Sequence, residues 1–158
     1  MERFTVRRFE EKDAQAVTEL IATTSRIVNA KVYEPEYIEN FLEWVSPEKI
    51  IERASWTHFY VICDGDDIIC SGAIGPHQGR EDESELFNIF LLPEYQGKGV
   101  GKLIIDTLEQ DEFFLRAKRI YIHSAMNALK FYRKMGYDHV NGEFAIDDED
   151  SYTLEKFR

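Results

Sequence analysis

Residues 96–102 read Gln-Gly-Lys-Gly-Val-Gly-Lys, with glycine at 97, 99 and 101 and lysine at 98 and 102. An apolar helical pattern follows, with Val100, Leu103, Ile104 and Leu108 on one side. Glycine inside a helix costs roughly 1 kcal/mol relative to alanine, so bare backbone here has a reason. One reading is a sharp turn from strand to helix. The other is an anion site. The first N–H groups of a helix have no partner within it, the helix dipole adds positive charge at that end, and glycine lets a ligand approach the backbone closely. A diphosphate fits such a cradle. Lys98 and Lys102 reverse the local sign in a chain whose net charge is −11, which favours the anion site. The spacing does not fit the dinucleotide pattern G-x-G-x-x-G, because Ile104 stands where the last glycine is due, and the P-loop spacing is absent.

The elements around this segment follow from periodicity. Phe4, Val6 and Arg8 alternate with Thr5 and Arg7, as in a strand. Asp13 then suits a helix N-cap, and Val17, Leu20, Ile21, Ile27 and Val28 form one helical stripe. Tyr37, Ile38, Phe41, Leu42 and Val45 repeat that spacing. Ser46 and Pro47 open a third, shorter helix as cap and first residue. "WTHFYVICDGDDIICSGAIGP" reads as two strands joined at an Asp-Gly turn. "ELFNIFLL" is nearly continuously apolar and so a central strand, ended by Pro93. After the glycine segment and its helix, "RIYIHS" is a strand. "AMNALKFYRKM" is a helix, with Gly136 placed to end it. "YDHVNGEFAI", with a turn or bulge at Asn141-Gly142, and "SYTLEKF" close the chain as strands. The sum is a mixed α/β domain in the order β-αα(α)-βββ-α-β-α-ββ.

Composition sets the outer bounds. A chain of 158 residues suits one domain, and 44% hydrophobic content suits a folded globule. No apolar run approaches the roughly 20 residues of a membrane span. The start "MERFTVRRFEEKD" lacks the apolar core of a signal peptide, so the cytoplasm is the expected location. The acidic balance argues against nucleic-acid binding and leans toward a cationic substrate. The acidic runs "GREDESE" and "DDED", residues 79–85 and 147–150, read as solvated loops. Cys63 and Cys70 show no metal spacing and read as small buried thiols. No ligand cluster asks for a metal.

Gln96-Gly97-Lys98-Gly99-Val100-Gly101 resembles the Q/R-x-x-G-x-G/A motif of the GNAT N-acetyltransferase superfamily. The lead-in "ELFNIFLLPEYQGKG" is similar to that family's fourth strand and the turn after it. "NALKFYRKMGY", residues 127–137, is similar to its second signature, with an Asn, a Tyr and a terminal Gly-aromatic pair. The specific part covers about residues 85–137; the first 60 residues carry no such motif. The resemblance implies a central, mostly antiparallel sheet of six or seven strands with splayed fourth and fifth strands, flanked by about four helices. The whole chain, 1–158, would then be a single domain of this type.

The activity implied is transfer of an acetyl group from acetyl-CoA to a primary amine of a small molecule or peptide, by direct attack. By the same resemblance, N–H groups of residues 96–101, with Lys102 beside them, hold the pyrophosphate. Ile89, Phe90 and Leu91 lie along the pantetheine arm, and an N–H near Ile89 polarises the thioester carbonyl. Asn127 hydrogen-bonds either the arm or local backbone. Tyr132 is the general acid and Glu85 the general base, with His123 in reserve. Lys130, Arg133 and Lys134 either meet the 3′-phosphate or form a solvated face. Tyr33, Tyr37, Phe41 and Trp44 either line the acceptor site or form a buried helix face. The acidic character hints at a polyamine, aminoglycoside or basic peptide. A homodimer is compatible with the resemblance, and the sequence carries no signal for one. A second reading keeps the cradle without catalysis, as an acyl-CoA-binding sensor; a third replaces the amine with a hydroxyl acceptor.

Overall fold

The computed structural model describes residues 3–142, 146 and 151–158. Its centre is a seven-stranded sheet in the order β1-β2-β3-β4-β5-β7-β6. The strands are β1 (Phe4–Arg8), β2 (His58–Asp64), β3 (Asp67–Pro76), β4 (Glu83–Leu91), β5 (Arg119–Ser124), β6 (Asp138–His139) and β7 (Tyr152–Phe157). Among the described residues β4 and β5 pair in parallel and every other neighbouring pair is antiparallel. The helices are α1 (Ala14–Ile27), α2 (Pro35–Leu42), α3 (Pro47–Trp56), α4 (Val100–Glu109), α5 (Glu112–Leu115) and α6 (Leu129–Lys134). This is the mixed α/β architecture expected, with more helical segments than the four anticipated.

Two clusters of side chains, one on each face, hold the layers together. Val17 and Ile21 of α1 and Ile50 of α3 pack on Phe59, Val61 and Ala73. Ile104, Ile105 and Leu108 of α4 and Tyr132 of α6 pack on Ile74, Leu86, Ile120 and Ile122. The alternation of strand side chains decides which residue joins which face. Gly72 sits where α4 crosses β3; a Cβ there would lie 2.8 Å from Ile104 Cγ1. Glycine thus lets α4 lie close on the sheet.

Several local expectations hold. The Lys49 N–H donates to Ser46 Oγ at 3.2 Å, with Pro47 opening α3. Asp64 pairs with Asp67 across the predicted hairpin turn, where Gly65 has φ 63°. Gly136 has φ 97° after α6, and the Tyr137 N–H returns to the Tyr132 carbonyl at 3.0 Å, closing the helix end.

Others need correction. Asp13 stands at the start of α1, but its carboxylate does not cap that helix. It accepts from the Arg7 guanidinium at 2.8 and 2.9 Å and from the Glu10 N–H at 2.8 Å. The Arg7 guanidinium holds the Asp13 carboxyl below its usual range. Ile27, expected on the apolar stripe of α1, is exposed at the last residue of that helix. The acidic run at 79–85 is not wholly a loop: β4 begins at Glu83, with Ser84 buried and paired to Ile120. The helix over 125–135 begins with a single 3-10 turn before α6. Of the strand expected over 137–146, the described residues show β6 and a bridge at Ile146, with Asn141 and Gly142 at positive φ between them, and residues 143–145 lie outside the described residues. Residues 147–150 lie outside the described residues.

Candidate active site

Parallel pairing of β4 with β5 runs from Glu83↔Arg119 to Leu86↔Ile122 and there, among the described residues, it stops. Beyond that row β5 stays with β7 through Ser124↔Tyr152, while β4 stays with β3 through Cys70↔Leu91. The sheet therefore forks. The cause on the β4 side is a bulge: Ser71 faces Phe90 but Ala73 faces Phe87, so the extra residue falls at 88–89. Asn88 takes φ 54°, and its carbonyl accepts from Ser71 Oγ at 2.7 Å. Arg53 of α3 braces the start of the bulge, stacking 4.2 Å from the Phe87 ring and reaching Asn88 Oδ1 at 3.2 Å. Past the bulge, Ile89 and Leu91 pack into the α4 cluster and Phe90 into the α1 cluster. These three expected residues thus lie on the free arm of the fork.

The glycine segment lies just beyond. The Leu92 N–H donates to Ile69, and Pro93–Tyr95 makes one 3-10 turn. The Gln96 N–H returns to the Pro93 carbonyl at 3.1 Å, so Gln96 spends its main-chain donor inside the protein. From residue 97 the picture changes. Gly97 and Gly99 take φ 76° and 82°, and the next main-chain bond in sequence is Leu103 N–H to Gly99 C=O at 3.0 Å. Among the described residues the N–H groups of 97–102 have no main-chain acceptor. Gln96, Gly97, Lys98 and Gly99 are exposed while Val100 is fully buried, so the loop is open and the helix behind it is anchored. Lys102 pairs with Asp106 one turn along; Lys98 carries the less committed charge. Gly101 has a separate reason: a Cβ there would meet Phe131 Cε1 at 3.0 Å. The contact joins the start of α4 to α6.

Tyr132 projects from α6 into the α4 cluster, against which Ile89 and Leu91 also pack. Its ring is buried, and Phe131 meets it edge-on with centroids 5.2 Å apart. Burial first, and the nearby Cys70 thiol second, push the phenol well above its usual value of 10.0, with no hydrogen bond contributing. The hydroxyl is therefore protonated throughout the neutral range. Cys70 is itself buried, and burial pushes its thiol up; it is no nucleophile.

Glu85 stands on the opposite face, one row before the fork, paired with Tyr121. Its side chain is 12% exposed. His77 Nδ1 lies 2.8 Å from Oε1, and His123 Nε2 lies 3.6 Å from Oε2. Tyr121 stacks on His77 at 4.0 Å. Arg53 adds an attractive charge from α3. The site thus has a buried phenol on one face of the fork and a carboxylate between two imidazoles on the other.

Asn127 sits in the 3-10 turn before α6, and its Nδ2 reaches the Val28 carbonyl at 3.4 Å, a distant stretch of backbone after α1 and not the local backbone of its own helix. The Tyr33 hydroxyl accepts from the Met126 N–H at 3.0 Å, and its ring stacks on Tyr37 at 4.6 Å. These two tyrosines tie the α1–α2 connection to the end of β5, whereas Phe41 and Trp44 are exposed. Lys130, Arg133 and Lys134 border a surface depression of about 620 Å³ with Tyr137 and Asp138. Arg133 lies 3.4 Å from Asp138. Sequence reasoning missed His77, Arg53 and the bulge. Only the last left a signal: an asparagine inside an apolar strand, a residue type that tolerates positive φ. Among the described residues no group of three potential ligands could hold a metal, and no helix is long and apolar enough to cross a membrane.

A family model described as an acetyltransferase (GNAT) domain matches residues 29–148. An uncharacterized N-acetyltransferase of Bacillus velezensis is 30% identical over 108 residues, 63% of this chain and 64% of that protein. The N-acetyltransferase YodP of Bacillus subtilis is 27% identical over 110 residues, 68% of this chain and 35% of YodP. The match therefore spans a little under two thirds of the first relative and about a third of the second. Among solved structures, the PaiA N-acetyltransferase of Thermoplasma acidophilum in complex with coenzyme A gives a TM-score of 0.77 at 21% identity, covering 98% of this chain and 99% of that one. A GCN5-related N-acetyltransferase from Rhodopseudomonas palustris gives 0.78 at 20%, covering 98% and 95%. At these identities the likeness to the solved structures is one of fold.

Proposed function

Since this chain belongs to the GNAT acetyltransferase family, we propose that it transfers the acetyl group of acetyl-CoA directly to a primary amine of a small molecule or peptide. The observation that carries this reading is the fork: a cleft edge between β4 and β5 with an open donor loop at its mouth and acid and base candidates on its two faces.

Acetyl-CoA would bring a thioester carbon open to attack and a thiolate leaving group. The residues fit such a group. The unpaired N–H groups of 97–102, at a helix N-terminus flanked by lysine, suit a diphosphate. Gly97 and Gly99 keep the loop in the left-handed conformation that aims those groups outward. The free arm of β4, residues 87–91, offers main-chain partners to an extended ligand, as an unpaired sheet edge does, and Ile89 and Leu91 add apolar contact. Tyr132 keeps its proton at neutral pH and presents it to a developing thiolate. Glu85 takes the proton that an ammonium must lose before its nitrogen can attack; alkyl ammonium groups titrate near 10, so a positioned base has work to do. Such a base contributes typically ~10²–10⁴-fold.

The test is a screen of polyamines, aminoglycosides and lysine-containing peptides with acetyl-CoA, read by free thiol release and by mass of the product. Acetylated amine supports the proposal. Binding of CoA with no thiol release from any amine would assign the chain instead as a non-catalytic acyl-CoA-binding module, and O-acetylated product would assign a hydroxyl acceptor.

A further inference from the structure

We propose that Glu85 works as the middle of a three-residue proton relay, in which His77 fixes the carboxylate and His123 passes the acceptor's proton on to solvent. This rests on the amine-acetylating reading above and adds two residues to it.

The geometry distinguishes the two histidines. The His77 side chain is 17% exposed, stacks on Tyr121 at 4.0 Å and places Nδ1 2.8 Å from Glu85 Oε1. It is held from a tight turn, since the next two residues, Gln78 and Gly79, both take positive φ (51° and 76°). A donor so fixed locks one carboxylate oxygen and leaves the other free to work. An imidazole that donates from Nδ1 is also fixed in tautomer. His123 differs in each respect. Its side chain is 43% exposed, and it lies on β5 one residue beyond the last paired row, where the fork opens. Its Nε2 faces the other oxygen, Oε2, at 3.6 Å. That is longer than a hydrogen bond but within reach of one through a small rotation or one water.

The need for an exit follows from burial. At 12% exposure Glu85 has little direct contact with solvent, and it must lose the proton it takes before the next turnover. In the step proposed, an N–H bond of the acceptor ammonium breaks and its proton joins Glu85 Oε2, leaving the neutral amine. That proton then moves to His123 Nε2, restoring the carboxylate. The exposed imidazolium then loses one proton to bulk water, and exchange with water returns the ring to the tautomer with Nε2 bare and Nδ1–H directed at Thr153 Oγ1, 3.4 Å away. No oxidant or co-reactant is needed. The charged and titratable groups around the relay are Arg53 from α3, Tyr121 and Arg119 from β5, and Glu83 on the same face of β4. Arg53 attracts the Glu85 side chain from α3.

The test uses the full chain, acetyl-CoA and the acceptor returned by the amine screen. His123→Gln is expected to lower kcat roughly tenfold, less than the ~100-fold or more for Glu85→Gln, with KM for acetyl-CoA unchanged. Added imidazole should restore the His123→Gln rate in proportion to its concentration and should do nothing for Glu85→Gln. An unreduced kcat, or a reduced one that imidazole leaves alone, overturns the relay. A readout without turnover covers His77. Long-range ¹H–¹⁵N spectra of the free protein should show His77 as the Nδ1–H tautomer, and Glu85→Gln should abolish that preference. A His77 protonated on Nε2 in the wild type overturns the clamp. Failure of every amine to release thiol would sink the transferase reading, while the tautomer spectra would still decide the clamp.

Discussion

Tyr132→Phe removes one oxygen from a buried ring, and the structure gives opposite signs to its two consequences. The hydroxyl lies in an apolar cluster with Ile89, Leu91 and Phe131, and no hydrogen bond enters the causes of its raised pKa. The hydroxyl is not among the fully buried unpaired polar atoms of the described residues, so its removal relieves only part of the about 1–3 kcal/mol that such an atom costs and breaks no protein hydrogen bond. Phenylalanine should therefore leave stability unchanged or raise it by up to about 1 kcal/mol, a shift of about 2–4 °C in Tm for a chain of this size. Activity should move the other way. If the hydroxyl protonates or hydrogen-bonds the leaving thiolate, kcat falls ~10²–10⁴-fold, which is about 2.7–5.4 kcal/mol of barrier. The pH dependence is a further check. Burial holds the phenol protonated well beyond its ordinary value of 10.0, so it does not titrate between about pH 6 and 9. The ratio of wild-type to variant kcat should be flat across that range. The assay is thiol release at saturating acetyl-CoA, with CoA affinity by calorimetry and Tm by circular dichroism. Wild-type turnover would refute the role. So would a ratio that changes with pH near neutrality, or a loss of CoA affinity equal to the loss of rate.

Three other outcomes follow from the same structure. Gly99→Asp keeps a residue type that tolerates φ near 82° but sets a carboxylate at the N-terminus of α4. CoA binding by calorimetry should be lost while the circular dichroism spectrum is kept, and retained affinity would dismiss the donor loop. Gly72→Ala puts a Cβ 2.8 Å from Ile104 Cγ1 and 3.2 Å from Leu108 Cδ1, both fully buried. Overpacking of that kind costs about 1–3 kcal/mol, so the urea midpoint should fall, and CoA affinity with it as α4 is pushed off the sheet; an unchanged midpoint contradicts the packing described. On the alkaline side, burial raises Cys70, Tyr132 and Tyr137, and raises Tyr60 to about 12. Raised values mean that the folded state holds these protons more tightly, so their contribution is complete below the unfolded values, about 9 to 10, and is lost above them. Stability measured by urea titration should be level from neutral pH to about 9 and fall beyond it, less steeply in Tyr132→Phe; a level curve to pH 11 or so would contradict the burial of these groups.

The sequence by itself determined what depends on near neighbours along the chain. Ser46-Pro47 starts α3, Gly136 ends α6, and Gly65 turns the hairpin, because caps and positive φ are settled within a few residues. The glycines at 97 and 99 likewise announce an open turn before α4 wherever that helix is finally packed. The alternation of β5 also says which of its side chains share a face, whereas in β4 the bulge breaks that alternation and sends Phe87 and Ile89 to opposite clusters. What the sequence left open is where those faces meet. Glu85 looked like part of an acidic loop, and only its pairing with Tyr121 and its closeness to His77 turn it into a nearly buried carboxylate. Tyr132 looked like any tyrosine on an apolar helical face until α6 set it in the same cluster that the free arm of β4 packs against. The fork itself joins residues far apart in the chain through a parallel pairing that ends at Leu86↔Ile122 and a bulge that bends one arm away. Local patterns encode the shapes of the pieces, because torsion angles and caps are short-range. The site arises from long-range pairing and packing, whose partners no short stretch of the chain contains.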